Sequence, residues 1–464
     1  MSNRSDRAEL LVLDEVFRDY GPLDFSVRLW NGQSWPARLK GEPHFTLFVH
    51  HPDTLRRMLL SRGDLYLCEA FIYGDLTVEG ELSGLLRLRD YVEELRLSPA
   101  RLARLAWLWL LLPKGRSSQR SAPRRPRATL KGKRHSIYRD RKAIEFHYDL
   151  SNEFFANWLD ERMIYSCGYF PTGKEDIDAA QERKLDYICR KLRLQRDERL
   201  LDIGCGWGGL VIYAAQRYGV HSMGITLSQR QHAFAQERIH RAGLKDRCRV
   251  ELRDYREIYS EPFDKLVSVG MFEHIGEARL ELYFAKAFQA LKPGGLFLNH
   301  GIGGGASVKR RLKSRFIDSY VFPDGELVDI GTVLREAELA SFEVIDVESL
   351  RRHYALTLRH WVHRLQANRA RALQHVDDST YRVWQLYMSG AAYYFDIGRL
   401  NVHQALLWKP TADRRSTAPW SRAYMYGFST EEVPGAVPAE QELAQSDKIP
   451  YLPSARLSKE SRES

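Results

Sequence analysis

Cysteine is scarce in this chain. Five occur in 464 residues (Cys68, Cys167, Cys189, Cys205, Cys248), with no close pairs. That spacing carries no disulfide framework and no zinc pattern, and it suits a reducing compartment. Long apolar runs are missing too. The longest, residues 105–112, is far below the roughly 20 residues that span a bilayer. The polar residues 1–7 are followed by no signal-peptide core. No internal repeat is visible. Acids are outnumbered: 60 Asp and Glu face 70 Lys and Arg, for a net charge of +10. A basic balance points to an anionic partner, either nucleic acid or the phosphates of a membrane surface. What is present, 44% hydrophobic and 28% charged residues, describes a soluble protein with a real core and length for two or three domains.

The chain is organised around Leu200-Leu201-Asp202-Ile203-Gly204-Cys205-Gly206-Trp207-Gly208-Gly209-Leu210. A short apolar run reads as a buried strand, and residues 210–215 read as the start of a helix. The glycines between them let backbone N–H groups and a helix N-terminus approach a ligand. Gly-x-Gly-x-Gly is tighter than the dinucleotide fingerprint. An acid two residues before the first glycine, Asp202, is the arrangement of S-adenosylmethionine (AdoMet) methyltransferases.

Residues 1–95 read as a small α+β unit for lipid binding or docking, with helices at 10–18 and 55–61 and strands at 25–29 and 45–49. Residues 96–142 read as an apolar helix (99–112) followed by a basic linker. Arg116, Arg120, Arg124, Arg125, Arg127, Lys131, Lys133, Arg134, Arg139 and Arg141 face Asp140 as the only acid there. A helix bearing Trp107 and Trp109 beside such a segment suits anionic lipid. Nucleic acid fits less well, because aromatics are not interleaved with the charges. From 143 to about 347, helices and strands alternate. Strands at 200–203, 221–228, 249–255, 263–270 and 296–300 predict an α/β fold, a doubly wound and mainly parallel sheet. Ligands sit at the carboxyl ends of such strands. Asp202, Gly204, Gly206, Thr226, Asp254, Glu273 and His300 all fall there. Residues 308–430 read as helical and aromatic-rich, shaping a substrate pocket within a catalytic domain of 143–430. Residues 431–464 read as a disordered tail.

Several motifs occur in order: His147-Tyr148-Asp149-Leu150-Ser151-Asn152, Tyr165-Ser166-Cys167-Gly168-Tyr169-Phe170, the glycine loop, Gly224-Ile225-Thr226-Leu227-Ser228 with Gln231, Met271-Phe272-Glu273-His274-Ile275-Gly276, His300-Gly301-Ile302-Gly303, and Tyr320-Val321-Phe322-Pro323-Asp324-Gly325. As a set, over about 143–410, they resemble the cyclopropane-fatty-acyl-phospholipid synthase family, relatives of the mycolic acid cyclopropane synthases. Two departures stand out. Gly301 replaces a common threonine, and Ser389-Gly390-Ala391-Ala392 stands where some members carry a cysteine.

The resemblance implies a class I AdoMet methyltransferase that delivers a methylene to the cis double bond of an unsaturated phospholipid acyl chain. The rival within the same fold is methylation to a methyl or methylene branch without ring closure. The cofactor set implied is Tyr165, Ser166, Asp202, Gly204, Gly206, Thr226, Leu227 and Gln231, with Asp254, Tyr255 and Arg256 near the adenine. An alkene attacking the sulfonium methyl leaves a carbocation, which needs shielding and then a base. The family's base is a bicarbonate, held around Cys167, Glu273, His300, Ile302 and Tyr320. Cys167 as a nucleophile is disfavoured, since no basic neighbour is evident to lower its pKa. No metal site is read. The expected setting is cytoplasmic, at the inner face of the cell membrane, and the family suggests a homodimer.

Overall fold

The computed structural model describes residues 8–37, 41–60, 64–113, 125–148, 150–258, 261–305, 314–416 and 418–426. The first unit holds α1 (Ala8–Phe17), β1 (Phe25–Leu29), β2 (Ser34–Trp35), β3 (Phe45–Val49), α2 (Asp53–Leu60), α3 (Leu65–Ile72), β4 (Leu76–Gly80) and α4 (Ser83–Glu94). Its sheet runs β2-β1-β3-β4. Strand periodicity puts Phe25, Val27 and Leu29, and Phe45, Leu47 and Val49, on one buried face.

Helix α5 (Pro99–Leu111) starts at Ser98, whose hydroxyl accepts the Arg101 N–H, with Pro99 in the first turn. It buries Leu105 and Leu108 and packs on α1, where Arg101 Nε meets Glu15 Oε1 at 2.9 Å. Its two tryptophans part company. The Trp109 indole donates to the Arg56 carbonyl at 3.1 Å and lies under the Arg56 guanidinium, whereas Trp107 stays 55% exposed beside Leu102 and Leu110.

The basic linker is corrected in two respects. Helix α6 (Ile137–Tyr148) begins inside it, six residues before the expected start of the catalytic domain at 143. Several of its cations are also occupied. Arg127 pairs with Glu69, Arg134 with Glu326 at 3.0 Å, and Arg139 with Asp324 at 2.8 Å, while Arg125 is buried. The acids that neutralise them are distant in sequence, so the charge run alone does not reveal the pairing. Arg116, Arg120 and Arg124 fall outside the described residues, as does the 431–464 tail.

The larger sheet runs β10-β11-β9-β8-β5-β6-β7. Strands β5 (Arg199–Ile203), β6 (His221–Thr226), β7 (Cys248–Leu252), β8 (Phe263–Val269) and β9 (Leu291–Gly304) are parallel. The crossover helices α7 (Ile177–Lys191), α8 (Gly209–Tyr218), α9 (Gln229–Arg241) and α10 (Leu280–Ala290) precede or link them. This is the expected doubly wound fold. Strand β9 is longer than expected, running through Pro293-Gly294-Gly295, which reads from sequence as a break. The region 308–430, read as helical and aromatic-rich, also contributes two strands. Strands β10 (Glu343–Ser349) and β11 (Leu400–Trp408) join the sheet antiparallel. Their apolar residues do not alternate cleanly, because β11 is buried almost throughout.

Helices α11 (Arg315–Tyr320), α12 (Ile330–Leu339), α13 (Arg351–Ala367) and α14 (Asp378–Asp396) complete the domain. Helices α3 and α4 of the first unit pack on α14, so one apolar core runs through both units. Its densest part is aromatic. Trp158 is fully buried against Phe155, Tyr165, Trp361 and Trp384. Trp158→Ala is expected to destabilise the protein by about 3–5 kcal/mol, with Trp107→Ala within about 0.5 kcal/mol of the parent. Denaturant unfolding of both variants checks this.

Candidate active site

The carboxyl ends of β5, β6 and β8 open onto a cavity of about 130 Å³, and beside it lies a second of about 500 Å³. The two share Tyr148, Tyr165, Ser166, Val269, Gly270 and His274 in their walls, so they meet.

The smaller cavity is built by the glycine loop. Gly204 and Gly206 have φ of +86° and +54°, a region that glycine enters without a Cβ penalty. A Cβ at Gly204 would press on Met271 at 3.0 Å, whereas one at Gly206 meets no protein atom within 4 Å. Asp202 ends β5 fully buried, and its Oδ1 has no hydrogen-bond partner. Burial pushes its carboxyl up to about 7, opposed by the positive charge of Lys184. Ser228 caps α9 and accepts the Gln231 N–H at 3.3 Å, while Thr226 Oγ1 donates to Gln231 Oε1 at 2.8 Å. Tyr165, Ser166, Leu227 and Tyr255 complete the expected lining. An open backbone cradle with an orphaned buried acid suits the ammonium of the amino-acid end of AdoMet.

Two expected cofactor residues are not in this wall. Asp254 accepts the Arg256 backbone N–H at 2.9 Å and also binds its guanidinium; Arg256 then reaches Asp140 of α6 at 2.9 Å. The pair clamps α6 to the sheet. The neighbour facing the cavity is Arg253. A side chain one residue along an irregular turn cannot be aimed from sequence.

The larger cavity holds the candidate chemistry. Glu273 sits in a short 3-10 turn, Phe272–His274, after β8. Its Oε1 accepts the Ile302 N–H at 2.6 Å, and its buried Oε2 has no partner. Burial raises its carboxyl to about 7, against the lowering effect of that N–H. His300 faces it from β9, next to the end of β8. Burial and the positive charges of Lys184 and Lys191 keep the imidazole neutral. Gln404 Nε2 lies 3.2 Å from His300 Nδ1, so donation there leaves the other ring nitrogen as an N–H donor. Cys167 lines the cavity too, but its thiol is raised by burial and contacts the carbonyl oxygen of Gly168, so it has no thiolate character.

Tyr320 is a correction. It is buried, but it does not line this cavity. Its hydroxyl donates to Glu69 at 2.6 Å and lies 3.0 Å from the Tyr73 hydroxyl, both on the first unit. A half-buried carboxylate there claims the phenol. Of the tyrosines that line the cavity, Tyr354 of α13 stands near Tyr387, Cys167 and Glu273, and burial, reinforced by these neighbours, raises its phenol. Sequence reasoning missed it, because Arg351-Arg352-His353-Tyr354 carries no motif. Lys184 and His274 were missed as well. Lysine on an amphipathic helix reads as a solvated charge.

Both departures noted in the motifs have a packing counterpart. A Cβ at Gly301 would run into the Phe272 ring, and one at Gly390 would press Leu86 of the first unit at 3.1 Å.

The family model for mycolic acid cyclopropane synthetase matches residues 135–405. The chain belongs to this family. It is an AdoMet-dependent methyltransferase with the class I fold. It is 39% identical over 409 residues to a probable fatty acid methyltransferase of Pseudomonas putida, covering 87% of this chain and 96% of that one. It is 37% identical over 269 residues to cyclopropane-fatty-acyl-phospholipid synthase of Escherichia coli strain K12, covering 58% and 66%. Among solved structures, mycolic acid cyclopropane synthase CmaA1 complexed with SAH and CTAB aligns with a TM-score of 0.55 at 34% identity, covering 57% of this chain and 97% of that one.

Gly206→Val is expected to abolish AdoMet binding, because the branched side chain would fill the open cradle and strain the backbone at φ +54°. Calorimetric titration of the folded variant checks this; unchanged affinity would place the cofactor elsewhere.

Proposed function

We propose that this enzyme transfers a one-carbon unit from AdoMet to the cis double bond of a phospholipid acyl chain and closes a cyclopropane ring. The observation that carries the reading is the junction of the two cavities. A largely apolar pocket, walled by Phe316, Phe322, Leu358, Tyr387 and Phe395, meets the cofactor cavity beside the buried Glu273.

AdoMet supplies an already electrophilic methyl, so the protein's contribution is position and environment. The carbocation left on the chain would face Tyr148, Tyr165, Tyr354 and Tyr387, whose rings offer π-faces and exclude water. Closing the ring requires a proton to leave the new methyl. The donors at hand suit a bicarbonate: a protonated Glu273 at Oε2, the His300 ring N–H and the Tyr354 hydroxyl. Bound there, bicarbonate would supply the base. The Ile302 N–H is not free for it, since Glu273 Oε1 holds it. With a carboxyl near 7, Glu273 can share a proton with an adjacent anion, which relieves their repulsion.

The branch-forming alternative starts from the same carbocation and has support in the name of the Pseudomonas putida relative. Mass spectrometry of lipids from cells expressing the protein tests the proposal. Acyl chains gaining one CH2, and resisting mild hydrogenation, support ring closure. Chains that then take up hydrogen indicate a methylene branch, and unmodified chains remove the lipid substrate altogether.

Glu273→Gln is expected to slow turnover by at least roughly tenfold, about 1.4 kcal/mol in the barrier, with AdoMet affinity unchanged. Degassed buffer should slow the parent enzyme and affect the variant less. If degassing leaves the parent rate intact while Glu273→Gln still abolishes it, Glu273 itself is the base.

No helix among the described residues is long and apolar enough to cross a membrane. We propose peripheral docking through the exposed Leu102, Trp107 and Leu110 of α5, with Arg104 beside them. Trp107→Asp should reduce co-sedimentation with anionic vesicles more than added salt does, because the cations at 127, 134 and 139 are already paired. Binding that is lost in salt and untouched by the substitution would contradict this.

A further inference from the structure

Lys184 lies on α7 beneath the cofactor cavity and is 2% exposed. A buried ammonium is expensive unless something in the fold or the ligand answers its charge. Its Nζ donates to Ser166 Oγ at 2.9 Å. One turn earlier, Gln181 Nε2 donates to the Ser166 carbonyl at 2.8 Å. The helix therefore holds Ser166 on the cavity wall by both its side chain and its backbone. An ammonium has three donors, and Ser166 takes one. Both Lys184 and Asp202 line the cavity, and each carries an unanswered polar function there: spare N–H groups on one, a partnerless Oδ1 on the other.

AdoMet ends in an amino acid, which brings a carboxylate and an ammonium side by side. We infer that Lys184 is a cofactor-binding residue, its ammonium receiving the carboxylate of AdoMet while Asp202 receives the ammonium. A charge pair in the wall matches a zwitterion in the ligand. This rests on the smaller cavity being the AdoMet site.

The surroundings agree in sign. Asp160, Cys167, Cys189 and Asp202 face Lys184 and favour its charge, while burial pulls it down to about 8. Lys184 in turn is the cation that eases the ionisation of Asp202, whose other titratable neighbours are Cys205 and Tyr283. His300 also feels Lys184, which helps keep it neutral. Asp202 with a carboxyl near 7 loses its charge as pH falls through that value, so AdoMet affinity of the parent should decline there. Without Lys184 the Asp202 carboxyl rises further, and the decline should begin at higher pH.

The test is calorimetric titration of the full chain with AdoMet and with decarboxylated AdoMet, across pH. Lys184→Met keeps the length and removes the charge, which favours folding. The expected result is at least tenfold weaker AdoMet binding by Lys184→Met at pH 7, an upward shift of the pH at which affinity falls, and a clearly smaller loss for the decarboxylated ligand, which keeps only the Asp202 contact. Parent protein should itself bind the decarboxylated ligand at least tenfold more weakly than AdoMet, a readout that needs no variant. Equal parent affinity for the two ligands overturns the inference. So does a Lys184→Met variant that weakens both ligands alike with an unmoved pH profile, which marks a merely structural lysine. Failure of the parent to bind either ligand would overturn the cavity assignment instead.

Discussion

A carboxyl group sits where water cannot reach it, with one oxygen tied to a strand and the other untied. The 2.6 Å bond from the Ile302 N–H to Glu273 fixes a short turn after β8 against β9, and it leaves Oε2 facing the cavity. Burial alone is enough to lift the acid to about 7. The rest of the site follows from that placement. His300 is neutral because the same enclosure disfavours its cation. Tyr354 and Cys167 keep their protons for the same reason. A site so enclosed would hold a carbocation only if nothing nucleophilic is loose in it, and His300, Tyr354 and Cys167 all stay neutral.

Enclosure has to be built, and the first unit helps build it. Asp64, Cys68, Leu86 and Arg89 of α3, α4 and the residue before α3 stand in the wall of the larger cavity. Leu86 packs close enough to Gly390 that a larger residue there would have to displace it. Tyr320 and Arg127 meet Glu69 on the same seam. Here the first unit belongs to the site rather than standing apart from it.

Much of this was legible in the sequence. The glycine loop, the strand ends and the ordered motifs place Asp202, Gly204, Gly206, Thr226, Gln231, Glu273 and His300, because each lies in, or within four residues of, a regular element whose direction periodicity fixes. What was not legible depends on contacts between distant segments. Tyr320 looks like a site residue until Glu69 is folded against it. Asp254 and Arg256 look like adenine contacts until Asp140 arrives to clamp them. Tyr354 and Lys184 carry no local signal, since a tyrosine or lysine on an amphipathic helix reads as wall or surface. Strand β11 was hidden by burial on both faces, which removes the alternation that marks a strand.

The central claim is that the base beside Glu273 takes its proton from the methyl that AdoMet has just delivered. Purified enzyme, unsaturated phospholipid vesicles and AdoMet deuterated at all three methyl positions test it directly by mass spectrometry of the released acyl chains. Two retained deuteriums per modified chain are predicted. Three retained deuteriums would mean that the proton leaves the acyl chain instead, and that Glu273 and its neighbours do not serve ring closure.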